Sequence, residues 1–145
     1  MNLNHGDDTL PEKPKQVVVL SKNNDLAKEV AEIAVEFFDK LGTRARVLRI
    51  DDYKITLDLK LEEPILFISD ESIFEGDDEI VFLKTLKDKF ASSTLVHLFK
   101  KYSPVYYNDL IIKSAAKFVK EDFLIESNLR KSLNAIYSKE LNHES

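Results

Sequence analysis

The run Pro64-Ile65-Leu66-Phe67-Ile68-Ser69-Asp70 is apolar until it ends abruptly on a carboxylate. A strand buried on both faces reads this way, and open α/β sheets collect their chemistry at the carboxyl ends of such strands. Asp70 is therefore the first candidate for chemistry, and its neighbours decide which chemistry. Little else in the chain competes. The histidines are His5, His97 and His143, two of them close to the ends of the sequence, so neither a Ser-His-Asp set nor a zinc set can be assembled. His97 lies inside an apolar run and reads as a hydrogen-bonded core residue. The acid pairs Asp51-Asp52 and Asp77-Asp78 read as solvated turns or helix starts. With three glycines in the chain there is no Gly-rich phosphate loop.

Composition narrows the class. A chain of 145 residues is about one domain and can bury a core without staples. It has no cysteine, hence no disulfide, thiolate metal site or Cys nucleophile, and a cytoplasmic setting is the simpler expectation. At 43% hydrophobic and 32% charged it reads as globular, and no apolar stretch approaches the roughly 20 residues that span a bilayer. Residues 1–8 lack the basic and apolar regions of a signal peptide. A net charge of −5, with adjacent basic residues only in isolated pairs such as Lys100-Lys101, argues against a nucleic-acid partner.

The elements that must position Asp70 alternate between strands and amphipathic helices. Residues 1–15, with Gly6, Pro11 and Pro14, read as a flexible lead, and 16–141 as one domain. Gln16–Leu20 is a first strand. Asn23 or Asn24 caps a helix with Leu26, Val30, Ile33, Phe37 and Leu41 on one face, stopped by Gly42. Residues 44–50 suit an edge strand, 64–69 a buried one, and Ile80, Leu83, Leu86 and Phe90 mark a helix after an acidic start. Thr94–Phe99 is a fourth strand, Ser103-Pro104 opens a helix through Leu110 and Ile111, Lys117–Val119 is a fifth strand, and Leu129, Leu133 and Ile136 line a last helix. Residues 55–61 alternate with period two, a strand signal where a parallel crossover needs a helix; a short or irregular helix is expected there. Five strands alternating with helices give one parallel sheet covered on both faces.

This order of elements resembles the receiver domain of bacterial two-component response regulators over roughly residues 16–138. Three stretches carry the likeness. Phe67-Ile68-Ser69-Asp70 looks like the family's strand ending in the phosphoacceptor aspartate. Ile80-Val81-Phe82-Leu83-Lys84-Thr85-Leu86-Lys87 is similar to the helix that follows it. Ser114-Ala115-Ala116-Lys117-Phe118-Val119-Lys120 resembles the family's Gly-Ala-x-x-aromatic-aliphatic-x-Lys stretch, with Ser114 in place of the glycine. The resemblance implies a flavodoxin-like (βα)5 three-layer sandwich with parallel sheet order 2-1-3-4-5. It also makes Asp70 the phosphoacceptor candidate.

Against that family pattern the partners of Asp70 differ. The family places two acids after the first strand to hold Mg²⁺ together with the phosphoacceptor; Ser21 and Lys22 stand there, and Asp25 falls in the first helical turn, where an acid serves the helix dipole. The Thr or Ser expected at the end of the fourth strand falls on Leu98 or Phe99, followed by Phe99 or Lys100, and Ser103 replaces it only with a differently wound loop. Counting from Phe118, the family's lysine position falls on Glu121, and a one-residue slip supplies Lys120. Lys22, Lys100 and Lys120 are thus the candidates to pair with Asp70, although lysines at such places are ordinarily solvated.

The reading this favours is a degenerate, or pseudo-, receiver: a non-enzymatic cytoplasmic signalling module without metal or cofactor, acting on another signalling protein or on a second copy of itself. Its expected interaction face carries Tyr106, Tyr107, Phe118 and Phe123. One alternative is a single-domain response regulator phosphorylated on Asp70 by a histidine kinase, with metal ligands from Asp25, Glu71 or Asp77. A second is a flavodoxin-like domain that binds a small ligand at the sheet's carboxyl edge.

Overall fold

A computed structural model describes residues 11–74, 79–100 and 117–138. The apolar runs form the strands of one parallel sheet: β1 (Gln16–Leu20), β2 (Arg46–Ile50), β3 (Ile65–Asp70), β4 (Ser93–Phe99) and β5 (Lys117–Lys120), in the order β2-β1-β3-β4-β5. Every residue of β3 is buried, as a central parallel strand requires, while β2 exposes Arg46, Leu48 and Arg49 at the sheet edge. Leu20 is level with Ile50 on one side and Ser69 on the other, and Asp70 is level with Leu98. The register therefore brings four strand ends to one rim.

Helix α1 (Asn24–Lys40) starts where Asn23 Oδ1 accepts the Leu26 backbone N–H at 3.1 Å and stops at Gly42, whose φ of +77° is the left-handed conformation glycine adopts without strain. Its apolar stripe packs with that of α4 (Ile125–Tyr137) on one face of the sheet. Val17, Val19, Leu66, Ile68, Val96, Leu98 and Val119 supply the strand side of this core, and Phe38 and Tyr137 meet edge to face at 5.1 Å. On the other face α3 (Glu79–Lys89) brings Phe82, Leu83 and Leu86 onto Val18, Leu20, Phe67 and Leu95, with Phe90 just beyond it. The sheet is thus a buried layer between two helical layers. The expected helix through Leu110 and Ile111 lies outside the described residues.

The ambiguous segment resolves into one short helix, α2 (Tyr53–Thr56), followed by a turn. Asp52 caps it through the Lys54 N–H at 3.0 Å. Leu57, Leu59 and Leu61 then pack against the second core as an irregular crossover. Their period-two spacing suits this descent without a strand partner, because β2 already occupies the sheet edge beside β1.

Candidate functional site at the carboxyl edge of the sheet

Asp70 is 2% exposed at the end of β3, with Leu98 beside it on β4. Immediately after it, Glu71–Ile73 wind into a single 3₁₀ turn, which swings the Ser72 hydroxyl back to donate to Asp70 Oδ1 at 2.7 Å. This Asp-x-Ser return is a local turn device, one the sequence carries as Asp70-Glu71-Ser72 and which a search for distant partners passes over. Ser72 also reaches the loop after β1: its Oγ accepts the Lys22 backbone N–H at 3.0 Å and lies 3.4 Å from Ser21 Oγ. The Ser21 hydroxyl in turn accepts the Asn23 N–H at 3.0 Å, tying the loop to the cap of α1. Hydroxyls and a backbone N–H therefore fill the ground between β1 and the carboxylate. Asp25 takes the first-turn position on α1 expected of it.

The opposite side of the site is built by Glu121. Its backbone N–H donates to Phe99 O at 2.7 Å, which extends the β4–β5 ladder one residue past Lys120 and sends successive side chains to opposite sides. The Glu121 side chain is only 11% exposed, and its Oε2 is buried without a hydrogen-bond partner among the described residues. Burial pushes its carboxyl above the usual carboxylate range, the negative charges of Asp70 and Glu71 push it the same way, and Lys100 and His97 partly offset them. Counting from Phe118 thus identifies the buried residue just past β5, and a carboxylate stands where the family resemblance implies a lysine.

The three candidate lysines are distributed differently. Lys100 Nζ lies 4.0 Å from Glu121 Oε1, and its backbone N–H donates to Glu71 Oε1 at 2.8 Å. Lys120 is exposed, with Nζ 3.8 Å from Asp122 Oδ2. Lys22 meets the site through its main chain, by way of Ser72, while its side chain lines a cleft over the ends of β1–β3. His97 is fully buried; its Nδ1 shares a 2.8 Å hydrogen bond with Ser69 Oγ, and its ring lies against Phe74 with centroids 5.9 Å apart. It is a structural histidine one residue short of the rim. Of the expected interaction face, Phe123 is 92% exposed and Leu124 beside it 49% exposed, in the turn where Asp122 Oδ1 accepts the Leu124 N–H. Tyr106, Tyr107 and Ser103 lie outside the described residues, as does the side chain of Phe118. Among the described residues no helix is long and apolar enough to cross a membrane.

No model of a known protein family matches the chain, and no curated protein sequence does. Solved structures do match in shape. A protein named for pilus assembly (cpaE) from Burkholderia thailandensis superposes with a TM-score of 0.65 at 13% identity, over 83% of this chain and 96% of that one. A pilus assembly-related protein from Burkholderia pseudomallei gives 0.60 at 13% identity, over 83% and 87%. The signal receiver domain of an HD domain-containing protein from Pseudomonas fluorescens gives 0.64 at 12% identity, over 92% and 100%. At such identities the likeness speaks for the fold, and with the strand order β2-β1-β3-β4-β5 it establishes that fold as the flavodoxin-like fold of receiver domains.

Proposed function

We propose that this chain is a pseudo-receiver: a signalling module of the two-component type that works through protein contacts and not through Mg²⁺-dependent phosphorylation of Asp70. The observation that carries this reading is the buried Glu121 carboxylate just past β5, standing where the family resemblance implies a lysine and with its ionisation opposed by the charge of Asp70. Phosphorylation replaces the single charge of Asp70 with about two, in a site that already holds a buried acid, so charge repulsion opposes the product where a lysine would stabilise it. Beside the carboxylate, Leu98 and Phe99 offer neither a hydroxyl nor a small side chain.

The donor set near Asp70 does not fit Mg²⁺. That ion takes near-octahedral oxygen ligation through one or more carboxylates and its own waters. On the β1 side, where the family resemblance implies two acids, stand Ser21, the Lys22 main chain and Ser72, whose hydroxyl already engages Oδ1, while on the other side Glu71 and Glu121 are engaged by Lys100. No three acids or histidines among the described residues are grouped to hold a metal ion. The Ser72 hydroxyl supplies a hydrogen bond to one oxygen of the buried carboxylate without a cation.

Output then requires a partner, either another signalling protein or a second copy of the chain. Phe123 and Leu124 are the apolar anchors on the β5 side of the rim, where large exposed apolar side chains mark contact surfaces. Replacing Phe123 with serine is expected to weaken self-association or capture of the partner while leaving the unfolding midpoint unchanged. Titration of low-millimolar Mg²⁺ with beryllofluoride into isotope-labelled protein, followed by a small phosphodonor and intact mass, tests the central claim. Unmoved resonances at Asp70 and an unmodified mass are expected. Shifts centred on Asp70, or a phosphorylated mass that vanishes in Asp70→Asn, would return the chain to the phosphorylated regulators.

A further inference from the structure

At the far edge of the sheet from β5 lies a feature that this functional reading does not use. β2 ends the order β2-β1-β3-β4-β5, so its outer side has no strand neighbour among the described residues. The ladder to β1 decides which main-chain groups face that side. Lys15 O accepts the Arg46 N–H at 3.0 Å and Ile50 O accepts the Ser21 N–H at 3.1 Å, so the main chain of Arg46, Leu48 and Ile50 is bonded inward. The N–H and C=O groups of Val47 and Arg49 point outward, a template for one more strand.

The side chains along this edge select the strand. Three of the chain's four arginines, Arg44, Arg46 and Arg49, fall on this one stretch of a molecule whose net charge is −5, and all three are exposed. Arg46 pairs with Glu62 of the crossover, so a carboxylate is already accommodated against the edge. Arg44 and Arg49 enter none of the ion pairs formed among the described residues. Charge on an edge strand keeps most other strands away, and here it disfavours a second copy of the chain, because β2 against β2 brings two sets of arginines onto one seam. A strand carrying carboxylates is the exception. Arg44 and Arg46 are two residues apart, about 6.6 Å along an extended backbone, and acids at alternate positions of an added strand repeat at the same interval. A nucleic acid suits the stretch less, since Asp51 and Asp52 follow it directly and Glu62 holds its middle arginine.

We propose that β2 is the docking edge for an extended acidic segment of another protein. The segment adds to the sheet beyond β2 through the main chain of Val47 and Arg49 and sets carboxylates at alternate positions against Arg44 and Arg46. This contact is separate from Asp70 and from the Phe123 turn on the β5 side, so its failure leaves the pseudo-receiver reading standing, and the reverse holds.

The capped peptide acetyl-TEVEVET-amide, with glutamate at alternate positions, titrated into the isotope-labelled full chain tests this. Resonances from Arg44 to Arg49 are expected to move together. With the peptide at about ten times its Kd, amide exchange with water is expected to slow about tenfold at Val47 and Arg49, and to stay unchanged at Arg46 and Leu48, which are already bonded to β1. The isomer acetyl-TVVEEET-amide, whose acids are contiguous, and the basic peptide acetyl-TKVKVKT-amide are each expected to bind about tenfold or more weakly. Arg44→Glu turns one attraction into a repulsion at an exposed residue, and is expected to weaken the first peptide about tenfold with the unfolding midpoint unchanged. The proposal is overturned if these resonances stay still, or if they move without added protection at Val47 and Arg49. It is equally overturned if the contiguous or basic peptide binds as well as the first, if Arg44→Glu binds like the wild type, or if an oligothymidylate binds there more tightly.

Discussion

Replacing Glu121 with glutamine is expected to make the protein more stable near neutral pH, although it deletes a charge that lies 4.0 Å from Lys100. Three features of the site set the size of the effect. Oε2 is buried without a hydrogen bond, and an unsatisfied buried polar atom costs roughly 1–3 kcal/mol. The carboxylates of Asp70 and Glu71 repel it. Against these, the Lys100 ammonium is 68% exposed, and a solvent-facing ion pair contributes only about 0–1 kcal/mol. A glutamine amide removes the repulsion while keeping the shape of the side chain. The net expectation is a gain of about 1–2 kcal/mol near pH 7. The sign against pH follows from the direction of the shift. The folded state holds the Glu121 proton more tightly than the unfolded chain, so stability falls as pH rises from the ordinary carboxyl value of 4.5 through the raised one, and the penalty is fully present above it. At and below pH 4.5 the wild-type side chain becomes neutral and its difference from glutamine shrinks toward zero. Urea unfolding of both proteins at the two pH values, with equal slopes in denaturant, measures this. A variant that is less stable near neutrality, or a difference of the same size at both pH values, refutes the placement of a strained acid beside Asp70.

Three further perturbations probe the frame around the site. Ser72→Ala removes both the donor to Asp70 and the acceptor of the Lys22 N–H, and is expected to cost about 1–3 kcal/mol in chemical unfolding while speeding amide exchange at Lys22. Asn23→Ala deletes the cap of α1 and is expected to lower stability by about 1 kcal/mol, with Asn23→Asp recovering most of it. Leu133→Ala, in the fully buried stripe of α4, is expected to cost about 2–5 kcal/mol by denaturant midpoint, well above either polar change.

Regular, repeating constraints made much of this fold legible in the residues themselves. An uninterrupted apolar run such as Ile65–Ile68 can only be satisfied between two covering layers, and the stripe Leu26, Val30, Ile33, Phe37 can only face one side of a helix. Asn23 before that stripe and Gly42 after it fix the ends through local hydrogen bonding and backbone freedom, with no reference to the rest of the chain. Asp70 was legible for the same reason: it is the abrupt end of a pattern. The period-two leucines from Leu57 to Leu61 were not, since their spacing satisfies a strand as well as an irregular descent over a core, and the occupied sheet edge decided between them.

The surroundings of Asp70 lay beyond the reach of sequence alone. Lys22, Lys100 and Lys120 were equivalent candidates in the linear chain, because a long flexible side chain near a strand end can reach many partners. Register and alternation along β5 separated Lys120 from Glu121 and turned the acid toward the site, and the 3₁₀ turn gave Asp70 a hydroxyl from only two residues away. Strand and helix periodicity is written into successive residues and so survives reading in one dimension. Which charges share a pocket depends on how four separate strand ends align, and only the assembled sheet sets that distance.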